Sequence, residues 1–159
     1  TGNVTCGGCS IDAEGGAEAG FRDYQANECK LDNQPIRRMS PQTQSILSHI
    51  DYETVIQQRR QNYRFLSEAL GEMNLIQLPF MDSFACPMVY PFMTDDITLR
   101  QRLINNKIFV AKYWPNIYDC CDEGDVEYTM CQSILPLPID QRYSKEELNR
   151  TLTLINNKC

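Results

Sequence analysis

The sequence contains no long hydrophobic run, and this absence argues against a membrane-spanning helix. Its apolar stretches, such as Ile108-Phe109-Val110-Ala111, are far shorter than the roughly 20 apolar residues that such a helix needs. No charged segment followed by an apolar stretch opens the chain, so we expect no signal peptide. The chain begins at Thr1 without a methionine, which is compatible with a processed or truncated product.

Basic residues are also scarce. The chain has 15 lysines and arginines against 21 acidic residues, and its net charge is −6. Nucleic acids and anionic membranes require a basic surface, so we expect neither as a main partner. The only basic doublets are Arg37-Arg38 and Arg59-Arg60. Each doublet is interpreted either as a solvated helix surface or as an anion site.

Histidine is nearly absent, which limits metal chemistry. Cys6 and Cys9 have the spacing of half a zinc site or of a dithiol redox pair, but no second pair follows at ligand spacing and His49 is the single histidine. No strand pattern precedes Cys6, as a thioredoxin-like motif would require. We therefore expect no metal site, and we interpret His49 as a helix residue near a domain junction.

The eight cysteines permit two interpretations. An even number in a secreted chain would indicate disulfides. Cys86 and Cys131, however, lie in apolar stretches, where a buried thiol behaves as a small hydrophobe. Hydrophobic residues make up 42% of the chain and charged residues 23%, as in an ordinary globular core. We expect a cytoplasmic protein in which most thiols are free.

The first part of the chain is predicted to be helical. Residues 1–12 are Gly-rich and predict a loose end, and apolar residues at helical spacing predict an amphipathic helix over about 13–32. Ser40 can cap a second helix that has Pro41 in its first turn, where the missing N–H of proline costs little.

Asp51 can cap a third helix, which is predicted to end at Gly71. Apolar residues at helical spacing predict its buried face: Tyr52, Val55, Ile56, Tyr63, Leu66 and Leu70. Charged residues predict the face that lies toward water: Arg59, Arg60, Arg64 and Glu68.

After the third helix, short apolar segments alternate with helical patterns. Four strands are predicted, over residues 75–78, 88–90, 108–111 and 134–138. Helices are predicted from Asp95, through Val126, and after a capping box formed by Ser144 and Glu147. This order predicts an α+β fold, an α/β sandwich with one small sheet and helices on one face. Four residues are predicted in its core: Val89, Leu103, Ile108 and Val110.

Six ordered segments carry a resemblance to a known family. In chain order they are QPIRRMS (34–40), IDY (50–52), RRQNY (59–63), CPMVYP (86–91), KIFVAKYWP (107–115) and LPLPIDQRY (135–143). In order and spacing these segments resemble the carboxy-terminal part of the DegT/DnrJ/EryC1/StrS family. Its members are sugar aminotransferases of the aspartate-aminotransferase fold that depend on pyridoxal phosphate.

The resemblance implies that residues 34–159 form the small domain of such an enzyme, which closes one side of the active-site cleft. Residues 1–33 would then be a loose end and a linker helix. In the family, the lysine that binds pyridoxal phosphate, the acidic partner of its ring nitrogen and the phosphate cup belong to the large domain. None of the lysines here lies in a matching motif, and Lys112 is interpreted as an exposed strand-end lysine.

The resemblance also has implications for the cofactor and the partners of this chain. We expect no catalytic residue and no bound pyridoxal phosphate in this chain alone, although the full-length family uses that cofactor. The expected partners are a large catalytic domain, in the same chain or a separate one, and further copies of the chain in a homo-oligomer.

Three residues are candidates for binding the substrate. Arg37 can hold a carboxylate or phosphate through two parallel hydrogen bonds, and Tyr113 and Trp114 can stack on a sugar face. The alternatives are that Arg37 caps or pairs on a helix surface and that the two aromatic residues belong to the core.

Two other functions stay open. The chain can be a stand-alone binding or assembly module that keeps the fold without catalysis. It can also be a thiol or zinc protein built on four of its cysteines: Cys6, Cys9, Cys120 and Cys121. The reading frame upstream of Thr1 separates the first two possibilities, and metal analysis with thiol titration tests the third.

Overall fold

The computed structural model describes residues 24, 26–31, 33–79 and 85–157. The chain divides into two compact units, Thr1–His49 and Ile50–Cys159. The predicted loose end, the Cys6–Cys9 pair and most of the predicted helix over 13–32 lie outside the described residues. The fold is a mixture of helix and strand with a small two-stranded antiparallel sheet, which is compatible with the predicted α+β class.

In the first unit, helix α1 (Pro41–Ser48) begins where the sequence predicts. The Ser40 hydroxyl accepts a hydrogen bond from the backbone N–H of Thr43 at 3.1 Å, and Pro41 occupies the first helical position. His49 is the C-cap residue, and its ring Nδ1 donates to the carbonyl oxygen of Ser45 at 2.6 Å. No residue of α1 is buried.

The second unit opens with helix α2 (Tyr52–Leu70), which has the predicted cap. The Asp51 carboxylate accepts from the backbone N–H of Thr54 at 3.1 Å, and Gly71 follows the last turn. Leu66 and Leu70 are fully buried, whereas Tyr52, predicted on the same buried face, is exposed. The buried face of α2 therefore begins later than the apolar pattern predicts.

The predicted solvent-facing position of Arg59 and Arg60 is wrong. Both side chains are half-buried and donate to backbone carbonyl oxygens: Arg59 Nη1 to Pro87 at 3.3 Å, and Arg60 Nε to Ala85 at 2.8 Å. Carbonyl groups at the approach to the sheet need donors, and these guanidinium groups supply them. This doublet is therefore part of the fold, whereas Arg64 on the same helix is exposed as predicted.

The sheet pairs β1 (Val89–Met93) with β2 (Ile134–Pro138) in antiparallel register. Pro91 lies opposite Pro136, and two rungs along the ladder Pro138 lies opposite Val89. The three prolines therefore occupy two rungs of the same kind, separated by one rung without proline. Antiparallel ladders alternate between rungs that exchange N–H···O bonds and rungs that do not. Prolines, which lack an N–H, fit the second kind, and this register explains how so many of them fit in two short strands.

The outer edge of β1 is covered by a side chain rather than by a third strand. The Asn74 amide donates to the Pro91 carbonyl at 2.9 Å and accepts from the Met93 N–H at 2.8 Å. The Leu75 N–H donates to the Met93 carbonyl at 3.0 Å. The predicted strand over 75–78 is consequently wrong: one backbone bond and one amide satisfy the edge of β1.

Helix α3 (Leu99–Asn105) leads into the segment that was predicted as the third strand. The N–H of Lys107 donates to Ile104 O and that of Ile108 to Leu103 O, both at 2.9 Å, with Lys107 at φ 64°. This pair of bonds with a left-handed residue is a Schellman ending. Residues 108–111 pair with no strand among the described residues, so the predicted strand is wrong. Ile108 and Val110 are buried as predicted, and Phe109 between them is exposed.

Three more helices complete the second unit: α4 (Ile117–Cys120), α5 (Val126–Ser133) and α6 (Lys145–Asn156). The predicted capping box of α6 is confirmed, with the Ser144 N–H donating to the Glu147 carboxylate at 2.7 Å. Helix α2 packs against β1 and α6, and α3 packs against α6.

The core combines residues from these elements. Leu103, Ile108 and Val110 belong to it as predicted, whereas Val89 is half-buried and its strand neighbours Tyr90 and Phe92 point inward instead. Other members of the cluster are Leu66, Leu70, Leu99, Leu135, Leu137, Ile139, Leu148 and Ile155.

Candidate functional site

The segment after Val110 brings two of the predicted site residues to the surface of the second unit. Trp114 has a φ of 51°, a left-handed conformation that costs an L-residue about 1 kcal/mol or more, and it precedes Pro115. The Trp114 carbonyl oxygen accepts from the Ile117 N–H at 3.0 Å, which begins α4. The chain therefore reverses at Trp114 and leaves its indole at the turn.

The indole of Trp114 is exposed. Its relative exposure is 66%, so the alternative in which Trp114 belongs to the core is wrong. The half-buried ring of Tyr113 lies 5.6 Å from it, centroid to centroid, with the planes tilted by 60°. The two rings form one aromatic surface, which we call the aromatic pair.

The aromatic pair is attached to helix α5 through a buried thiol. Cys131 Sγ donates to the carbonyl oxygen of Tyr113 at 3.1 Å and lies 3.4 Å from that of Trp114. Cys131 is buried, as its apolar context predicts, while Cys86 is exposed, contrary to the same prediction. The five cysteines among the described residues, at positions 29, 86, 120, 121 and 131, form no disulfide there.

A second group of aromatic rings holds Lys112. Its ammonium nitrogen lies 4.2 Å from the centroid of the Tyr118 ring, and Tyr128 packs edge-on against that ring at 4.9 Å. Burial of the phenol and the neighbouring Cys131 thiol raise the pKa of Tyr118 to about 12. The phenol therefore stays neutral at physiological pH and presents an uncharged ring to the lysine.

Arg37 belongs to a different unit of the chain from the aromatic pair. Arg37 lies in the first unit, in the non-helical segment 34–40 before α1, where it is exposed. Its alternative interpretation as a residue on a helix surface is wrong, because no helix includes it. Its predicted role in binding an anion stays a prediction.

The residues near Lys112 do not fit pyridoxal phosphate. Its imine requires a lysine amine that is neutral and a carboxylate that is available to the ring nitrogen. Asp96, which lines a cavity with Lys112, has its carboxylate bound by Arg102 at 2.9 Å. No other carboxylate lines this cavity among the described residues, so none is free to hold the ring nitrogen of the cofactor.

Two contacts of this site have no local sequence signal. The apolar context of Cys131 predicts burial but not its bond to Tyr113, which joins positions 18 residues apart. A lone tyrosine such as Tyr118 in a short helix has no pattern that indicates a lysine above its ring.

Comparisons with known proteins add no family. No protein-family model, curated protein or solved structure matches the chain. Across the described residues, none of the helices is both long and apolar enough to cross a membrane. In the same part of the chain, no three His, Cys, Asp or Glu side chains are grouped so that they could hold a metal ion.

Proposed function

We propose that this chain is the small domain of a pyridoxal-phosphate-dependent aminotransferase that acts on a sugar or nucleotide sugar, of the DegT/DnrJ/EryC1/StrS kind. Six ordered segments of the sequence suggest this family. The mixed fold, in which helix α2 packs on a small antiparallel sheet, is compatible with it.

The observation that carries the proposal is the aromatic pair with its exposed Trp114 indole. The backbone of Trp114 adopts a left-handed conformation, and its ring contributes little to the core. Residues in sparsely populated backbone conformations cluster at functional sites, so this conformation of Trp114 suggests a functional role. Aromatic rings that present a face to solvent offer a sugar both apolar contact and shape selection.

In this proposal the chain positions the substrate and performs no bond chemistry. Tyr113 and Trp114 stack on the sugar ring, and the thiol of Cys131 fixes the backbone that carries them. Arg37 binds a carboxylate or phosphate of a substrate through its planar guanidinium group. Closure of the small domain over the cleft then excludes water from the reacting groups.

Sequencing the coding region upstream of Thr1 tests the assignment at once. We expect it to encode a large domain that bears the cofactor-binding lysine, either in the same frame or in an adjacent gene. A stop codon followed by a nearby start, with no such domain next to it, would instead support a stand-alone module.

A chemical test addresses whether the chain is an enzyme by itself. The pure chain is mixed with pyridoxal phosphate, freed of excess reagent, reduced with borohydride and mapped for modified lysines. We expect only weak labelling spread over several lysines, because no lysine of this sequence lies in a motif that matches the family's Schiff-base lysine. Stoichiometric labelling at Lys112 would contradict the assignment of catalysis to another domain.

A further inference from the structure

A cavity of about 230 Å³ lies at one end of the two-stranded sheet. Thr94 follows β1 and Ser133 precedes β2, and the Thr94 N–H donates to the Ser133 carbonyl at 3.1 Å, which closes the ladder there. Both residues line the cavity, together with Arg100 from the first turn of α3 and Lys112 from the segment after Val110. Three separate stretches of chain thus meet around one space.

Two cationic side chains line this cavity, and neither is neutralised by an acidic partner among the described residues. Arg100 is half-buried, and its Nε atom is fully buried without a hydrogen-bond partner there. A buried guanidinium donor without an acceptor carries a desolvation cost that an incoming anion would remove. Among the described residues, Lys112 contacts the Tyr118 ring and makes no hydrogen bond, which leaves its N–H donors available to a ligand.

One carboxylate, Asp96, also lines the cavity, but its charge is compensated. It accepts from Arg102 at 2.9 Å and from the Thr98 hydroxyl at 2.6 Å. The charges that remain unpaired at the cavity wall are therefore those of Arg100 and Lys112, and both are positive.

Hydroxyl groups complete the set of donors. The Thr94 oxygen accepts a hydrogen bond from the Asp96 N–H at 3.2 Å, so its own proton is available to a ligand. Ser133, a second residue with a hydroxyl group, also lines the cavity. Two cations with hydroxyl donors suit an anion with several acceptor oxygens better than a single halide ion.

We propose that this cavity binds a phosphate group between Arg100 and Lys112. Its volume is below the roughly 300–1,000 Å³ of sites for drug-sized ligands. The ligand is therefore inorganic phosphate or the phosphate of a small organic ester. The site does not depend on the proposed aminotransferase function, because every residue in it belongs to the second unit of this chain.

Titration of the full 159-residue chain with inorganic phosphate, at constant ionic strength set with sodium chloride, tests the proposal. We expect saturable binding at one site per chain by calorimetry and by phosphorus NMR. Glycerol 3-phosphate is titrated beside it to distinguish a small ester from the free ion. Tighter binding of succinate than of either phosphate probe would overturn the assignment to a phosphate group.

Matched variants locate the site. Arg100→Gln and Lys112→Met should each weaken phosphate binding about tenfold or more, since each removes a charge-assisted contact. Arg64→Gln and Lys145→Met remove the same charges from exposed helix positions and should leave the affinity unchanged. Thermal denaturation checks that each variant folds, and Lys112→Met decides the matter if Arg100→Gln does not fold. Absence of saturable binding, or equal losses in the control variants, would refute the site.

Discussion

The thiol of Cys131 donates a hydrogen bond to the backbone carbonyl oxygen of Tyr113, with the two atoms 3.1 Å apart. Through this contact, helix α5 holds the backbone of the aromatic pair, although Trp114 itself lies largely in solvent. The thiol is the only side-chain donor that the described residues provide to these two carbonyl groups. Orientation of the proposed sugar-binding surface therefore depends on a residue that does not face the sugar.

Cys131→Ala should loosen the aromatic pair. Trp114 is the single tryptophan, so its fluorescence reports on this segment alone. We expect faster acrylamide quenching and lower emission anisotropy in Cys131→Ala than in the wild type, and a smaller change in Cys131→Ser, which keeps a donor. Cys120→Ala, at an exposed position, is the control. Equal quenching in the wild type and Cys131→Ala would show that the thiol does not hold the segment.

Val110→Asp should destabilise the second unit strongly, because Val110 is 2% exposed and an unpaired buried carboxylate is poorly tolerated. We expect a loss of about 3 kcal/mol or more in the free energy of unfolding, measured with urea. Phe109→Asp, one residue earlier on the outward side, should change it by less than about 1 kcal/mol. Similar effects at the two positions would contradict the inward-outward alternation of this segment.

This segment also shows which parts of the fold can be predicted from sequence. The apolar run correctly predicted that Ile108 and Val110 are buried, because burial follows from the residue's own chemistry. It did not predict that the segment pairs with no strand among the described residues, because pairing depends on the edge presented by another part of the chain. At the outer edge of β1, the amide of Asn74 makes the hydrogen bonds that a neighbouring strand would make, and no strand pattern predicts this.

Three helix starts were predicted correctly because their caps are local, whereas the helix predicted from Asp95 begins at Leu99. Ser40, Asp51 and Ser144 cap the helices that follow them through hydrogen bonds that span only three residues. The candidate site was predicted in part: Tyr113 and Trp114 lie together because they are adjacent in the chain. The contributions of Cys131 and Tyr118 come from tertiary packing, which leaves no local pattern.

Asn62 should be essential for stability although it is polar. Its buried amide nitrogen lies 3.1–3.2 Å from the carbonyl oxygens of Ile139, Asp140 and Tyr143, and so ties α2 to the turn before α6. Asn62→Leu keeps the volume but leaves these acceptors without their donor.

The expected loss for Asn62→Leu is about 3 kcal/mol in the free energy of unfolding, measured with urea. Asn149→Leu, at an exposed position of α6, serves as the control and should have a small effect. A loss below about 1 kcal/mol in Asn62→Leu would show that water replaces the amide without cost.

Stability should fall in acid partly through Asp96. The hydroxyl of Thr98 and the guanidinium of Arg102 hold the pKa of this carboxyl below its ordinary value of 3.8. A lowered folded-state pKa means that the stabilisation is complete above the unfolded-state value and is lost as the pH falls through the folded-state value. The difference in unfolding free energy between the wild type and Asp96→Asn should therefore be largest near pH 6 and shrink below pH about 4. A difference that is constant over this range would contradict the role of the charged carboxylate.

The proposed function is tested most directly by steady-state kinetics on the chain joined to its upstream or partner large domain. The assay measures transfer of an amino group from an amino acid to a nucleotide sugar in the presence of pyridoxal phosphate. We expect activity in the wild type, and in Trp114→Ala a KM for the sugar raised about three- to tenfold, as lost aromatic contact implies, with the KM for the amino acid unchanged. An inactive assembly, or a Trp114→Ala variant with both KM values unchanged, would contradict the account.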